Sequence, residues 1–261
     1  VPPALGEVKP DICFVRLDST RPRRIDIGMT NPSSNPSDLE SYKRAAAAGA
    51  LDYVKDGMKI GLGTGSTAEA FLELLSGKVR AGIKIVGTPT SQRTADRARA
   101  LGIAIEELDK LGELDLVVDG ADEADHDFNL IKGGGGALLR EKIVANSAAQ
   151  MVVIADETKL VHKLGVFDLP VEVISFGHGT TASRIISVSE DLGYLNLVPK
   201  LRMNGDVPFK TDNGNYIYDC PYGAIADAET LADTLSCITG VAEHGLFVGI
   251  ATSLIIAGAN G

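Results

Sequence analysis

Three short segments carry residue types that could do chemistry together. The first, Gly61-Leu62-Gly63-Thr64-Gly65-Ser66-Thr67, holds three glycines and three hydroxyls in seven residues. Glycines let a backbone approach an anion closely, and a helix starting at Ser66 offers it unpaired N–H groups. Thr64, Ser66 and Thr67 add hydroxyl donors. The segment has neither GxGxxG spacing nor the lysine of a P-loop, which argues against a dinucleotide or ATP. A tight turn with a serine cap is the plainer reading of the same residues.

The second segment, Asp119-Gly120-Ala121-Asp122-Glu123-Ala124-Asp125, directly follows an apolar run. Clustered carboxylates repel, which raises some pKa values and makes proton transfer feasible near neutral pH. Oxygen ligands also suit Mg²⁺, and a solvated acidic loop is a third reading; spacing alone does not separate them. In the third segment Lys132 precedes four glycines, Gly133, Gly134, Gly135 and Gly136, which run into the apolar helix ALLREK. Ordering such a run costs entropy, and buried-type segments flank it closely, so it fits poorly as a linker. Its N–H groups can bind oxyanions and Lys132 brings charge. Glu141 lies about one turn into the helix, facing wherever the glycine loop points, although most such glutamates face solvent.

The elements that must hold these segments follow a regular order. Residues 39–53 read as an alanine-rich helix capped by Ser37 or Asp38, 58–63 as a strand, 66–75 as an amphipathic helix, and 83–87 as a strand. A helix over 91–101, strands over 103–105 and 114–119, a helix over 137–148 and a strand over 151–155 follow. Alternating strands and helices imply a Rossmann-like parallel sheet with helices on both faces, an α/β class. Such sheets bind ligands beyond the carboxyl ends of their strands, where the three segments fall. After Pro170 the pattern becomes strand 171–176, helix 180–192, strand 195–203, a turn at Asn213-Gly214, and helix 227–238. That is the order of a small inserted α+β, ferredoxin-like domain. Residues 246–257 read as one buried strand returning to the first sheet. The expected division is an N-terminal extension over 1–37 without regular structure, an α/β catalytic domain over 38–168 and 241–261, and the small domain over 169–240.

The chain has 261 residues, 44% hydrophobic and 23% charged, which is ordinary for a folded cytoplasmic protein. A net charge of −10 argues against a broad nucleic-acid surface but leaves room for a small anion in a locally basic cleft. No stretch approaches the ~20 apolar residues of a membrane span. Cys13, Cys220 and Cys237 have no CxxC spacing, and His126, His162, His178 and His244 no HxxxH spacing, so no metal is expected. The first residues, with a basic cluster at 21–24 and a Ser/Pro/Asn-rich stretch after Met29, do not resemble a secretory signal, and Glu7, Asp11, Asp18 and Asp26 disfavour the alternative of a transit peptide. Met29 is the expected natural start, with no catalytic group in 1–28.

Together, GLGTGST, DGADEAD, KGGGGALLREKI and IADETK resemble type A ribose-5-phosphate isomerases, in that family's order, over roughly residues 42–258. The resemblance implies an isomerase of the non-oxidative pentose phosphate pathway, without cofactor, acting as a homodimer or homotetramer on a pentose phosphate. It puts substrate against Thr64, Gly65, Ser66 and Thr67, sets Asp119, Gly120, Ala121 and Asp122 on the sugar, and places Lys132 with Gly133, Gly134 and Gly135 beside it. Glu141 matches the family's proton acceptor, Lys159 a substrate-contacting lysine, and Lys43 a basic residue near the substrate. Gly136 stands where alanine is common and is expected to loosen the start of the helix slightly. The sequence ends soon after Ala257, short of the family's last contacts.

The implied chemistry is ring opening aided by Asp119 or Asp122, then transfer of the C2 proton to C1 by Glu141 through an enediolate stabilised by Lys132 and the glycine loop. Two rivals are a sugar-phosphate sensor, which would want a basic helix-turn-helix that residues 1–40 do not resemble, and a metal enzyme using Asp119, Asp122 and Asp125.

Overall fold

The computed structural model describes residues 13–18 and 36–259. In chain order the first elements are β1 (Cys13–Asp18), α1 (Pro36–Ala50), β2 (Lys59–Leu62), α2 (Ser66–Arg80), β3 (Val86–Pro89), α3 (Gln92–Ala100), the single turn α4 (Leu108–Leu111) and β4 (Leu116–Asp119). Next come β5 (Glu123–Ala124), β6 (Leu130–Ile131), α5 (Leu138–Asn146) and β7 (Met151–Asp156). The remainder is β8 (Leu169–Val173), α6 (His178–Asp191), β9 (Lys200–Leu201), β10 (Met203–Asn204), β11 (Val207–Pro208), β12 (Tyr216–Cys220), α7 (Ala228–Ser236), β13 (Val241–His244), β14 (Leu246–Phe247) and β15 (Ser253–Gly258).

The main sheet runs β1-β15-β7-β4-β2-β3, parallel from β15 to β3. Strands β4, β7 and β15 are buried along their whole length, as parallel strands covered on both faces must be. Alternation divides their side chains between two cores. Leu116, Val118, Val152, Ile154, Ile255 and Ala257 pack beneath α1 and α2 with Phe71, Leu72 and Leu75. Val117, Val153, Leu254 and Ile256 face the other way, onto Val144 and Ala145 of α5. Helices therefore cover both faces, as the α/β reading requires.

A third core lies under a four-stranded antiparallel sheet ordered β13-β8-β12-β9, backed by Ile185 of α6 and by Leu231 and Leu235 of α7. Its chain order, β8-α6-β9-β12-α7-β13, is βαββαβ, the ferredoxin-like plan. The plan is complete only with Val241–His244, which pairs with β8. The expected boundary at 240 is therefore too early by one strand, because the closing strand hydrogen-bonds to the small sheet.

Other expectations change for local reasons. Residues 246–257 are not one strand: β14 joins β5 and β6 in a separate antiparallel sheet, and only β15 returns to the main one. Residues 103–105 make a single bridge, from Ile105 to Gly87. Over 195–203 only short pairings form, with Leu195 and Val198 exposed. Helix α1 opens at Pro36, a favoured first position, so Ser37 and Asp38 lie within its first turn rather than before it. The N-terminal region contributes one regular strand, β1, antiparallel to β15; the basic cluster at 21–24 and Met29 lie outside the described residues.

Candidate active site

The carboxyl ends of β2, β4 and β7 converge on a cleft of about 280 Å³. Just beyond β2, Gly63 lies against Asp119, where any side chain would collide with the carboxylate. Helix α2 then starts at Ser66, and Gly65 at its cap supplies no side-chain hydrogen bond. Its first-turn N–H groups are left for a ligand at the positive end of a 15-residue helix. Gly65, Ser66 and Thr67 line the cleft, and so do Lys43 from α1 and Lys159 from the turn after β7. Neither lysine has a carboxylate partner among the described residues, which leaves two uncompensated ammonium groups beside the helix start. That combination suits a small dianion.

Thr64 departs from the expectation. Its hydroxyl lies 2.7 Å from that of Thr90, 2.9 Å from Ser91 Oγ and 3.1 Å from Thr94 Oγ1, and its N–H donates to Asp119. The hydroxyl and the N–H are thus both engaged within the protein, although the residue lines the cleft. The hydroxyl cluster at the start of α3 braces the loop from behind. Sequence reading missed it because its members lie more than twenty residues away.

At the centre Lys132, at the end of β6, is buried between two carboxylates. Its Nζ is 3.0 Å from Asp119 Oδ2 and 3.3 Å from Glu141 Oε2, and it donates to the Gly120 carbonyl at 2.6 Å. Asp119 Oδ1 accepts from the N–H groups of Gly120 at 2.7 Å and Thr64 at 3.1 Å. Both Asp119 oxygens are thus engaged and the residue is buried, just outside the lining of the cleft. Glu141 is equally buried, yet no donor is aligned on its Oε2 even though the ammonium is within ion-pair range.

Electrostatics follow from this packing. Burial pushes the Glu141 carboxyl up to about 8; Lys132 pulls it back and the charge of Asp119 raises it further. Asp119 is also raised, by burial first, against the pull of Lys132 and its backbone hydrogen bonds. For Lys132, burial works against the ammonium, but Asp119 and Glu141 outweigh it and hold the pKa above its ordinary value. A proton acceptor near neutrality thus stands beside a permanent cation.

Asp122 lines the cleft and accepts the Gly134 N–H at 2.7 Å through Oδ2. Asp125 stands apart: its carboxylate accepts from the N–H groups of Asp127 and Asn129 and closes the β5–β6 turn. The three aspartates of the metal reading are thus spent on separate tasks, and no group of three metal-ligating side chains forms among the described residues. Gly120, Ala121, Gly133 and Gly135 complete the wall. The fourth glycine is no loosened helix start. Gly136 has φ of +76°, and a Cβ there would stand 2.5 Å from the Phe209 ring, so the turn requires glycine.

Residues that sequence reading did not single out are Leu39, Asp156 and Thr158 on the wall. Asp156 caps the turn carrying Lys159 by accepting the Thr158 N–H at 3.0 Å. On either side of Glu141, α5 is tied to the small sheet's unit. Arg140 donates to Asn213 Oδ1 at 3.0 Å and to the Asp212 carbonyl at 3.2 Å. Lys142 reaches Glu243 at 2.7 Å and the His244 carbonyl at 2.8 Å.

Fold and cleft define an α/β protein with an acid–base centre open to a small anion. Residues 86–261 match the family model described as ribose 5-phosphate isomerase A (phosphoriboisomerase A). Ribose-5-phosphate isomerase A of Sinorhizobium fredii is 54% identical over 224 residues, 86% of this chain and 96% of that protein. A ribose 5-phosphate isomerase from Plasmodium falciparum has a TM-score of 0.79 at 36% identity, over 84% of this chain and 94% of that one. A D-ribose-5-phosphate isomerase solved in complex with phospho-erythronic acid gives 0.77 at 41% identity, over 84% and 94%. The chain belongs to the ribose 5-phosphate isomerase A family.

Proposed function

We propose that this chain is an aldose–ketose isomerase that interconverts D-ribose 5-phosphate and D-ribulose 5-phosphate through an enediolate. The single observation that carries the reading is Glu141, a buried carboxylate on the cleft wall, raised toward neutrality beside the Lys132 cation. The phosphate sits at the start of α2, on Ser66, Thr67, Lys43 and Lys159. Asp122, which faces the cleft, accepts the anomeric hydroxyl proton as the ring C–O bond breaks and returns it to the ring oxygen. Asp119 orients Lys132 from behind. Glu141 removes the C2 proton of the open aldehyde; the electron pair becomes the C1–C2 double bond and charge moves to O1. Lys132 and the glycine-loop N–H groups share that charge. Glu141 then gives the proton to C1 while the O2 hydroxyl proton passes to O1, which leaves the ketone at C2.

The same reading includes a cytoplasmic enzyme of the non-oxidative pentose phosphate pathway that forms a homodimer or homotetramer and binds no nucleic acid. Free thiols at Cys220 and Cys237 suit a reducing compartment. Phe176, Leu195, Val198 and Val207 expose apolar surface on the small unit, which suits contact with a second copy.

The test is conversion of ribose 5-phosphate by purified protein in EDTA, with Glu141→Gln alongside. Rapid conversion that drops about 10²–10⁴-fold in the variant, with KM little changed, is expected. A folded wild type that converts nothing, in EDTA or after metal reconstitution, would sink the reading.

A further inference from the structure

Four consecutive glycines have no side chains with which to hold their own peptide planes; one turn bond, from the Gly136 N–H to the Gly133 carbonyl at 3.0 Å, closes the loop on itself, and its other anchors come from outside. Arg202, at the bend between β9 and β10, is placed to do this. Its guanidinium pairs with Asp219, Nε lying 3.0 Å from Oδ2 and Nη2 contacting Oδ1, which leaves Nη1 free to turn toward the loop. Nη1 donates to the Gly133 carbonyl at 2.8 Å and to the Gly134 carbonyl at 3.2 Å.

In a planar trans peptide the C=O and N–H point in opposite directions, so a carbonyl gripped from one side aims the N–H to the other. The plane that carries the Gly133 carbonyl also carries the Gly134 N–H, which donates to Asp122. The plane that carries the Gly134 carbonyl also carries the Gly135 N–H. Gly135 lines the cleft, and its N–H has no partner among the described residues. Phe209 closes the far side: its N–H donates to the Arg202 carbonyl at 2.9 Å, and its ring lies 5.9 Å from the guanidinium and against Gly136.

We propose that Arg202, held by Asp219, is a positioning residue that sets two consecutive peptide planes of the glycine loop, one toward Asp122 and one presenting the Gly135 N–H to the enediolate oxygen. This rests on the isomerase reading above. The small unit thereby supplies part of the oxyanion site without touching substrate.

The experiment compares wild type with Arg202→Met, Arg202→Lys and Asp219→Asn, measuring kcat, KM, Tm and inhibition by phospho-erythronic acid, whose carboxylate mimics the enediolate oxygens. Removing one oxyanion donor costs about 10²–10³-fold in kcat, and misaiming one should cost roughly 10–100-fold. The expected pattern for Arg202→Met is that loss in kcat, KM within about threefold, a matching loss of phospho-erythronate affinity, and partial recovery in Arg202→Lys. Wild-type kcat in Arg202→Met overturns the proposal, as does an equal weakening of substrate and phospho-erythronate that tracks a fall in Tm. Should Arg202→Met fail to fold, Asp219→Asn must show the same kcat-selective loss, and unchanged kcat there overturns it. Wild type without isomerase activity would instead sink the underlying reading.

Discussion

Glu141 Oε2 lies 3.3 Å from the Lys132 ammonium, yet no hydrogen bond is aligned on it. A fully bonded ion pair would stabilise the carboxylate and make it a poor base. A carboxylate buried with no cation nearby would simply stay protonated. The arrangement lies between these limits: the charge of Lys132 keeps ionisation accessible, while burial holds the carboxyl's proton affinity above that of an exposed glutamate.

The first consequence is a pH profile. In the proposed mechanism only ionised Glu141 accepts the C2 proton, and its pKa is raised to about 8. The ionised fraction therefore falls as pH drops through about 8, and log kcat/KM should decline with unit slope on the acid side from near that pH. The substrate's phosphate titrates at about 6, so the two limbs are separable. A profile flat down to pH 5 would remove Glu141 as the base.

Stability should carry the opposite mark of the same residue. The folded state holds the Glu141 proton above the ordinary glutamate value of 4.5, so between that value and about 8 the native protein binds more protons than the unfolded chain. Native stability then falls as pH rises through this window. Glu141→Gln should raise Tm at pH 9 but hardly at pH 4.5, each recovered kcal/mol giving about 2–4 °C. Equal Tm changes at both pH values would count against a buried charge.

Lys43 and Lys159 should reveal themselves in KM. A hydrogen bond to a charged group is worth about 1.5–3 kcal/mol, so replacing either lysine by methionine should raise KM for ribose 5-phosphate roughly 10- to 150-fold, with a smaller effect on kcat. The salt dependence of KM should weaken in step. An unchanged KM in the Lys43 variant would separate that residue from the site.

Much of this centre was legible in advance because its parts are compositionally rare. LVVD and MVVIA advertise strands buried on both faces, and glycines beside lysine, aspartate and hydroxyls mark the loops between them. What escaped was set by contacts distant in sequence. Two-residue strands such as Glu123–Ala124 and Leu130–Ile131 are too short to show a period. Arg202 falls at the end of the stretch read as a strand over 195–203 and Phe209 in no assigned element, and both matter only because the small unit folds them onto the glycine loop. Nothing in the order of Asp119 and Asp122 shows that one is walled in and the other faces the cleft.

Gly136 offers a test of that long-range fit. Alanine there would be strained by the left-handed backbone and would press on the Phe209 ring. A destabilisation of about 1–3 kcal/mol is expected, visible as a Tm lowered by several degrees, with kcat reduced because the displaced ring adjoins Arg202. A Gly136→Ala protein with unchanged Tm and kcat would refute that fit.

Successive residues of an α-helix point about 100° apart around its axis. On α5, Arg140 and Lys142 are each anchored to the small unit, with Glu141 between them directed at the cleft. The helix therefore has no freedom to roll: a turn in either direction stretches one anchor or the other. The bearing of Glu141 is dictated by a layer outside the cleft's own loops, so relatives that share this cleft residue for residue can still differ in rate through the way their small sheets seat this one helix.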